Sequence, residues 1–231
     1  MEKSWIAANL EDVKARVERR CLANGVDPSG VKIVGVTKTL TAEMAMEGIK
    51  AGLIDLGENR VQEAARKIPM VTPRPRWHLV GHLQKNKVKK AVEIFDIIES
   101  VDSLELAQLI SMRACEEGKK MEIYLQVNSS YETSKYGIDP GEIYDFADKI
   151  NELPGLMVSG LMTIGPLTED PDLIKRAFAM TKNLFDKLQM RMGGGFGVLS
   201  MGMSGDYELA LDYGANALRI GTAIFGPRSK E

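Results

Sequence analysis

The stretch Val31-Lys32-Ile33-Val34-Gly35-Val36-Thr37-Lys38 decides how the rest of the chain is organised. Its apolar, β-branched residues predict a strand that is buried on both faces, as in a parallel sheet. The helix signal Thr41-Ala42-Glu43 follows directly, so the stretch begins a strand-then-helix unit. The strand ends in a lysine, whose ammonium group is costly to bury and tends to lose its proton when it is desolvated.

Lys38 has two interpretations at this position. A neutral amine in a sheltered pocket can form a Schiff base with an aldehyde. Alternatively, the side chain leaves the strand end for solvent, as most lysines do. The stretch alone favours the solvent interpretation, so the rest of the chain has to decide between the two.

The strand-then-helix pattern continues along the chain after a leading helix over residues 4–23. The strands are predicted at residues 31–38, 54–58, 77–82, 96–101, 122–128, 156–164, 198–203 and 217–225. The helices between them are predicted at residues 41–51, 60–68, 86–95, 103–118, 140–153, 172–192 and 206–213.

Eight such units without a linker predict a single closed (β/α)8 TIM barrel, in the α/β class. We expect one domain over residues 1–231, with a leading helix and turn at 1–28 and the barrel at 31–226. A doubly wound open sheet is the alternative, but it would carry a glycine-rich turn after its first strand. The sequence Gly35-Val36-Thr37-Lys38-Thr39 is not such a turn.

Composition excludes several classes of protein. The chain has 231 residues, 27% of them charged, and a net charge of −2. A nearly neutral chain argues against binding to nucleic acid, which depends on a positive surface. No apolar run is long enough to span a membrane, and residues 1–9 lack the apolar core of a signal peptide. Cys21 and Cys115 lie in helical patterns and are expected to be reduced, semi-buried thiols, so we expect a cytoplasmic protein. A barrel without an arm domain is compatible with a monomer, which we expect.

Working residues of a (β/α)8 barrel lie at the carboxyl ends of its strands. In the predicted strands these positions are held by Lys38, Glu58, Asn59, His82, Asn128, Met162, Thr163, Met203, Ser204, Arg219, Gly221 and Thr222.

The ends of strands seven and eight carry a candidate phosphate site. Ser204 lies where a strand passes into a helix, and Gly221 allows a ligand to approach the backbone beside the hydroxyl of Thr222. Loops after these two strands commonly bind phosphate in this fold, because bare amides there favour an anion. Alternatively, Ser204 only caps its helix and Gly221 only fits a turn. The combination favours phosphate.

Arg219 lies two residues before Gly221, so strand alternation points both toward the site or the barrel interior. A buried arginine requires a partner, and the alternative is a purely structural ion pair with a carboxylate. A lysine that forms Schiff bases, a phosphate site and an arginine between them describe one ligand, which would have an aldehyde, a phosphate and a ring acceptor. Pyridoxal 5′-phosphate (PLP) fits this description, and we expect it as the ligand.

Ordered motifs along the chain resemble those of the pyridoxal phosphate homeostasis protein family, relatives of the alanine racemase barrel domain. The resemblance covers essentially the whole chain. Its motifs are Val34-Gly35-Val36-Thr37-Lys38, Gly57-Glu58-Asn59-Arg60-Val61-Gln62-Glu63, Trp77-His78-Leu79-Val80-Gly81, Leu83-Gln84-Lys85-Asn86-Lys87, Ser134-Lys135-Tyr136-Gly137-Ile138, Gly160-Leu161-Met162-Thr163, Leu199-Ser200-Met201-Gly202-Met203-Ser204 and Leu218-Arg219-Ile220-Gly221-Thr222-Ala223-Ile224-Phe225-Gly226.

The resemblance implies a specific set of cofactor-binding residues. Lys38 would carry PLP as a covalent internal aldimine, and Arg219 would face the pyridine nitrogen. Asn59 would lie close to the cofactor. The phosphate would be held by Ser204, Gly221 and Thr222. The chain departs from the family pattern at His82, where many members have proline, and at Tyr136, where many have a small residue; both changes concern the pocket rim.

Three functions remain open for such a site. The first is a PLP-binding protein of intracellular PLP homeostasis, which holds the cofactor and hands it to apo-enzymes without turnover of its own. The second is a weak PLP-dependent amino-acid racemase. This needs a second acid or base opposite Lys38, and neither Tyr131, Tyr136 nor Tyr207 is placed there by the sequence. The third is a Schiff-base aldolase acting on a phosphosugar, which the fold allows and the motifs disfavour.

Other features have simpler interpretations. His78 and His82 lie four apart on a predicted strand, but without a cysteine or third histidine a metal site is not expected. Glu58 is expected to pair with a nearby base. The basic run over residues 85–90 is expected to be a solvated helix face, with a phosphate-rich partner as the alternative. Lys135 is either a second aldehyde-reactive amine near the mouth or a surface lysine.

Overall fold

The structure is a computed structural model that describes residues 4–130 and 136–227. Its strands are β1 (Lys32–Val36), β2 (Asp55–Glu58), β3 (Arg76–Leu79), β4 (Ile97–Val101), β5 (Met121–Val127), β6 (Leu156–Thr163), β7 (Val198–Met203) and β8 (Ala217–Ile220). Its helices are α1 (Trp5–Ala23), α2 (Ala42–Lys50), α3 (Val61–Lys67), α4 (Val88–Ile94), α5 (Leu104–Glu116), α6 (Ile143–Asn151), α7 (Pro171–Met192), α8 (Tyr207–Asp212) and α9 (Thr222–Phe225).

The strands form one closed parallel barrel in chain order. Each strand pairs with the next, and β8 pairs back with β1 through the register Val34–Arg219. The predicted (β/α)8 barrel is therefore confirmed, and the doubly wound open sheet is wrong. The barrel brings the carboxyl ends of all the strands to one mouth.

Two different cores lie on the two sides of the barrel wall. Buried apolar side chains fill the layer between the strands and the surrounding helices. Inside the barrel, a small apolar cluster of Ile97, Tyr124 and Met162 is present. Polar and charged side chains are buried inside the barrel as well, among them Asp55, His78, Glu99, Ser200 and Arg219.

Helix α1 covers the outside of the barrel near its last helices. Its buried face includes Leu10 and Val13. Asn9 donates to the carbonyl of Ile224 at 3.0 Å, and Arg16 forms an ion pair with Glu208 of α8. The leading helix predicted from the sequence is thus part of the packed barrel layer. Within the described ranges, each helix is too short or too polar to cross a membrane.

The predicted ends of three strands were wrong: β1 ends at Val36 and not at Lys38, and β3 and β8 also end earlier than predicted. Strand β3 ends at Leu79, because the chain then turns where Gly81 packs on the backbone of Asn59; a Cβ at Gly81 would lie 2.4 Å from the Asn59 carbonyl oxygen. His82 is therefore outside the strand. Strand β8 ends at Ile220, and the N–H of Phe225 bonds back to the Gly221 carbonyl at 2.9 Å in a short helix.

Cys21 and Cys115 are free cysteines. Cys21 is buried in α1, whereas Cys115 is exposed.

Candidate functional site

A cavity of about 340 Å³ lies at the carboxyl ends of the strands. Its volume is in the range of small-molecule sites. The six residues predicted to bind the cofactor all line it, and the complete lining is Val36, Lys38, Asn59, Val80, Ile164, Met203, Ser204, Gly205, Arg219, Gly221 and Thr222.

Lys38 lies in the loop between β1 and α2, two residues after the strand ends, and it is half-buried. The next residue, Thr39, has a φ of +63°, a conformation that a β-branched residue adopts only when its surroundings impose it. The Thr39 N–H donates to Oε1 of Glu63 at 2.6 Å, and its hydroxyl donates to the Lys38 carbonyl at 2.6 Å. These bonds fix the backbone on which Lys38 is mounted.

Lys67 of α3 supports the same loop through hydrogen bonds. Its buried ammonium group donates to the Thr37 carbonyl at 2.7 Å, to Oε1 of Glu58 at 2.7 Å and to Oε1 of Glu63 at 2.9 Å. Burial raises the pKa of Glu58, although bonds from Lys67 and Thr37 oppose this. The expected pairing of Glu58 with a base is confirmed, and Lys67 joins the end of α3 to the segment that follows β1.

Ser204 links the loops after β7 and β8. Its Oγ accepts hydrogen bonds from the N–H of Gly221 at 3.2 Å and of Ala223 at 3.1 Å. The interpretation that Ser204 caps α8 is wrong, because the N-cap of that helix is Asp206. Since both acceptor positions of the hydroxyl are used, its own hydrogen remains to be donated. A group in the cavity that accepts hydrogen bonds, such as an anion, is the partner this serine can serve.

Gly205 and Thr222 complete this corner of the cavity. No atom of the described residues lies within 4 Å of a Cβ built on Gly205, so a ligand can approach its backbone. Thr222 is exposed and begins the short helix α9. Loops after the seventh and eighth strands, together with a short additional helix, form the common phosphate site of this fold. The donor set therefore fits a phosphate group.

Arg219 forms the buried floor of the cavity. Its guanidinium donates to Oγ of Ser200 at 2.6 Å and to the carbonyl of Thr163 at 2.6 Å. It also lies 3.9 Å from the carboxylate of Glu99. Burial lowers the pKa of Arg219, whereas the charges of Glu99 and Asp206 oppose this shift. Arg219 thus both lines the cavity and belongs to an internal ion pair, so the two interpretations of its role are compatible.

A chain of charged groups continues below Arg219 through the barrel interior. Ser200 donates to Oε2 of Glu99 at 2.6 Å, and His78 contacts Glu99 at 2.6 Å and Asp55 at 3.1 Å. Burial would lower the pKa of His78, but hydrogen bonds to the two carboxylates raise the pKa to about 9. Burial would raise the pKa of Glu99, but His78 and Arg219 hold that pKa below its usual range. These contacts favour the charged forms of His78 and Glu99, because they shift the pKa of His78 upward and the pKa of Glu99 downward.

Other sequence candidates lie outside this cavity. Glu58 braces the loop, as described above. His82 lies at the surface, Asn128 follows β5, Met162 belongs to the apolar interior, and the carbonyl of Thr163 serves Arg219. Tyr131 and Lys135 lie outside the described residues. No group of three metal-binding side chains occurs within residues 4–130 and 136–227.

The sequence interpretation missed the apolar walls and the support of Arg219. Val36 and Val80 line the cavity from the ends of β1 and β3. Glu99 was also missed. A carboxylate inside the apolar strand Ile97–Val101 could have revealed it, because a buried charge requires partners.

Comparison with known proteins agrees with this arrangement. The family described as "Alanine racemase, N-terminal domain" matches residues 6–229. The pyridoxal phosphate homeostasis protein of Pseudomonas aeruginosa is 39% identical over 226 residues, which cover 97% of this chain and 96% of that protein. The corresponding protein of Aquifex aeolicus is 36% identical over 220 residues, which cover 95% and 96%.

Solved structures show the same barrel. The structure of PipY from Synechococcus elongatus with PLP bound has a TM-score of 0.85 and 35% identity, and the match covers 96% of this chain and 100% of that one. An alanine racemase of Clostridium difficile has a TM-score of 0.76 at 18% identity, covering 98% of this chain and 57% of that one, which shows the fold alone. This chain therefore belongs to the pyridoxal phosphate homeostasis protein family, whose barrel is that of the alanine racemase N-terminal domain.

Proposed function

We propose that this protein binds PLP in the cavity at Lys38, as a Schiff base with that lysine, and acts in intracellular PLP homeostasis by handing the cofactor to apo-enzymes. The observation that carries the proposal is one cavity lined by an amine, a phosphate corner and a buried arginine. The relatives named for PLP homeostasis and the PLP-bound structure of PipY support it.

The residues of the cavity fit the three polar parts of PLP. Lys38 offers an amine to the aldehyde, and Ser204 offers a hydroxyl hydrogen to the phosphate, with Gly221 and Thr222 beside it. Asn59 also lines the cavity. When bound, PLP supplies an electron sink whose strength depends on protonation of its ring nitrogen.

The positive charge of Arg219 affects the protonation of the PLP ring nitrogen. A guanidinium held by Ser200 and Thr163 is a fixed positive charge at the cavity floor. A second positive charge beside it is unfavourable, so a ring nitrogen facing Arg219 is expected to stay unprotonated. This weakens the electron sink and disfavours transamination chemistry.

The cavity lining also favours a carrier over a racemase. Among the residues that the structure describes there, Lys38 and Arg219 are the ionisable ones. Racemisation by two bases needs an acid or base opposite the lysine. Tyr136 lines a neighbouring cleft, and Tyr207 is a buried residue of α8 that does not line the cavity. We therefore propose that the protein retains and releases PLP without turnover.

The test of PLP attachment is an absorption spectrum of the purified protein with added PLP, before and after borohydride. We expect a visible band that borohydride abolishes in the wild type and in Lys85→Ala, a control at an exposed lysine. Lys38→Ala should lack the band. A protein that stays colourless with PLP, or a Lys38→Ala variant that keeps the band, would contradict the proposal.

Transfer is tested separately from attachment. The PLP-loaded protein should activate an apo PLP-enzyme more than the same concentration of free PLP does. Solvent deuterium should not enter the α-position of alanine or other amino acids incubated with the loaded protein. Deuterium incorporation that disappears in Lys38→Ala would instead identify a racemase.

A further inference from the structure

A second cleft, of about 680 Å³, lies beside the Lys38 cavity. It runs between the start of α3 and the loop after β3, and it shares Asn59 with the cavity. Three cationic side chains, Arg60, Arg66 and Lys87, line it. The proposed function uses none of these three.

The cations of the cleft lack ion-pair partners among residues 4–130 and 136–227. Neighbouring lysines outside the cleft do have such partners: Lys85 pairs with Glu105, and Lys90 pairs with Glu93. The basic run at residues 85–90 is therefore not a uniform solvated face. Its Lys87 lines the cleft together with Arg60, the N-cap residue of α3, and Arg66 of the same helix.

The single carboxylate in the described lining does not neutralise these cations. Glu63 already accepts from the ammonium of Lys67 at 2.9 Å and from the N–H of Thr39 at 2.6 Å. Lys67 is a buried cation outside the described lining, and it serves Glu58 as well as Glu63. Three cations against one carboxylate leave the described lining with an excess of about two positive charges, beside amide donors from Gln62 and Gln84.

The far wall of the cleft is an aromatic pair. The rings of His82 and Tyr136 stack with centroids 3.7 Å apart and planes inclined by 12°. The His82 imidazole lies 3.5 Å from the carboxylate of Asp102. These contacts hold the two rings in place. The cleft therefore has an ordered aromatic wall in addition to its cationic side chains.

We propose that this cleft is a binding site for a small polyanion that carries phosphate or carboxylate groups. Arginine side chains bind such groups through paired N–H donors, and a concave site collects several donors on one ligand. A nucleic acid is disfavoured by the net charge of −2, because binding along a phosphate backbone needs an extended positive surface.

The probe for the test is pyrophosphate, titrated into the full-length protein and followed by calorimetry. The double variant Arg60→Gln/Arg66→Gln should bind it about tenfold more weakly, which is a conservative loss for two charge-assisted hydrogen bonds. The matched control is Arg113→Gln/Arg191→Gln, which removes the same charge from exposed pairs on α5 and α7. The control should keep wild-type affinity.

A second arm separates the cleft from the phosphate corner at Ser204. Pyrophosphate affinity should be unchanged after saturation with PLP, and Arg60→Gln/Arg66→Gln should keep the PLP absorption band if the proposed function holds. Failure of the wild type to bind pyrophosphate would overturn the proposal. It would also be overturned by equal losses in the two double variants, or by loss of pyrophosphate binding when PLP is added. The comparison of the double variants remains valid if the protein binds no PLP.

Discussion

Ser204 shows how one hydroxyl can join two loops and still serve a ligand. It accepts two backbone N–H groups from the start of α9, at Gly221 and Ala223, which fixes the geometry of the phosphate corner. The hydroxyl hydrogen is then its only unused hydrogen-bonding function. Under the proposed function, that hydrogen goes to the phosphate.

Replacing Ser204 by alanine should weaken PLP binding about tenfold or more, because a hydrogen bond to a charged group is lost and two N–H groups lose their acceptor. The measurement is a titration of the absorption band with PLP. Ser103→Ala is the matched control, since Ser103 caps α5 and does not line the cavity. It should lower thermal stability while PLP affinity stays at the wild-type value. Equal PLP affinity in both variants would contradict the role of Ser204.

Helix α3 acts as the brace of the loop that carries Lys38. The ammonium group of Lys67 donates hydrogen bonds to Thr37, Glu58 and Glu63. Glu63 in turn accepts a hydrogen bond from the N–H of Thr39. The left-handed backbone at Thr39 persists because these bonds over-determine it. The position of Lys38 therefore depends on an element that does not line the cavity.

Substituting Lys67 by methionine should lower the free energy of unfolding by about 3–5 kcal/mol, because the buried carboxylate of Glu58 loses its cation. Urea denaturation measures this. The control Lys90→Met removes a half-exposed pair with Glu93 and should cost less than about 1 kcal/mol. If the two variants were equally stable, the buried network would not be what holds the loop.

The elements were largely predictable from the sequence, whereas the contacts between them were not. Apolar runs bounded by helix signals located the strands, and the barrel rule then placed Lys38, Ser204 and Arg219 at one mouth. The ends of β3 and β8 were missed because the close approach of Gly81 to Asn59 and the turn at Gly221 depend on tertiary contacts. The network around Lys67 joins side chains from separate elements. The hydrophobic periodicity of each element does not reveal such contacts.

At the scale of the whole molecule, the barrel interior contains a continuous line of charges. It runs from Asp55 through His78 and Glu99 to Ser200 and Arg219, so that cations and carboxylates alternate. Each charge is buried and would be costly alone. Together they fix the guanidinium at the floor of the cavity, and the stability of the barrel is thereby linked to the ionisation of its centre.

This link predicts how stability depends on pH above neutrality. The pKa of His78 rises from 6.5 to about 9 in the folded chain. A group whose pKa is raised by folding contributes stability that is fully present below the unfolded pKa and is lost as pH rises through the folded pKa. For this shift the contribution is about 3 kcal/mol, so the free energy of unfolding should fall between pH 6.5 and pH 9.5.

The change that tests this origin is His78→Gln, with urea denaturation at several values across that pH range. The variant should be less stable than the wild type near pH 6.5, because the glutamine carries no charge between Asp55 and Glu99. Its stability should then change little toward pH 9.5, so the two curves converge. His82→Gln, which changes the other histidine at the protein surface, should keep the wild-type slope. Parallel curves for His78→Gln and the wild type would place the pH dependence in other groups and remove His78 as the charged centre of the barrel.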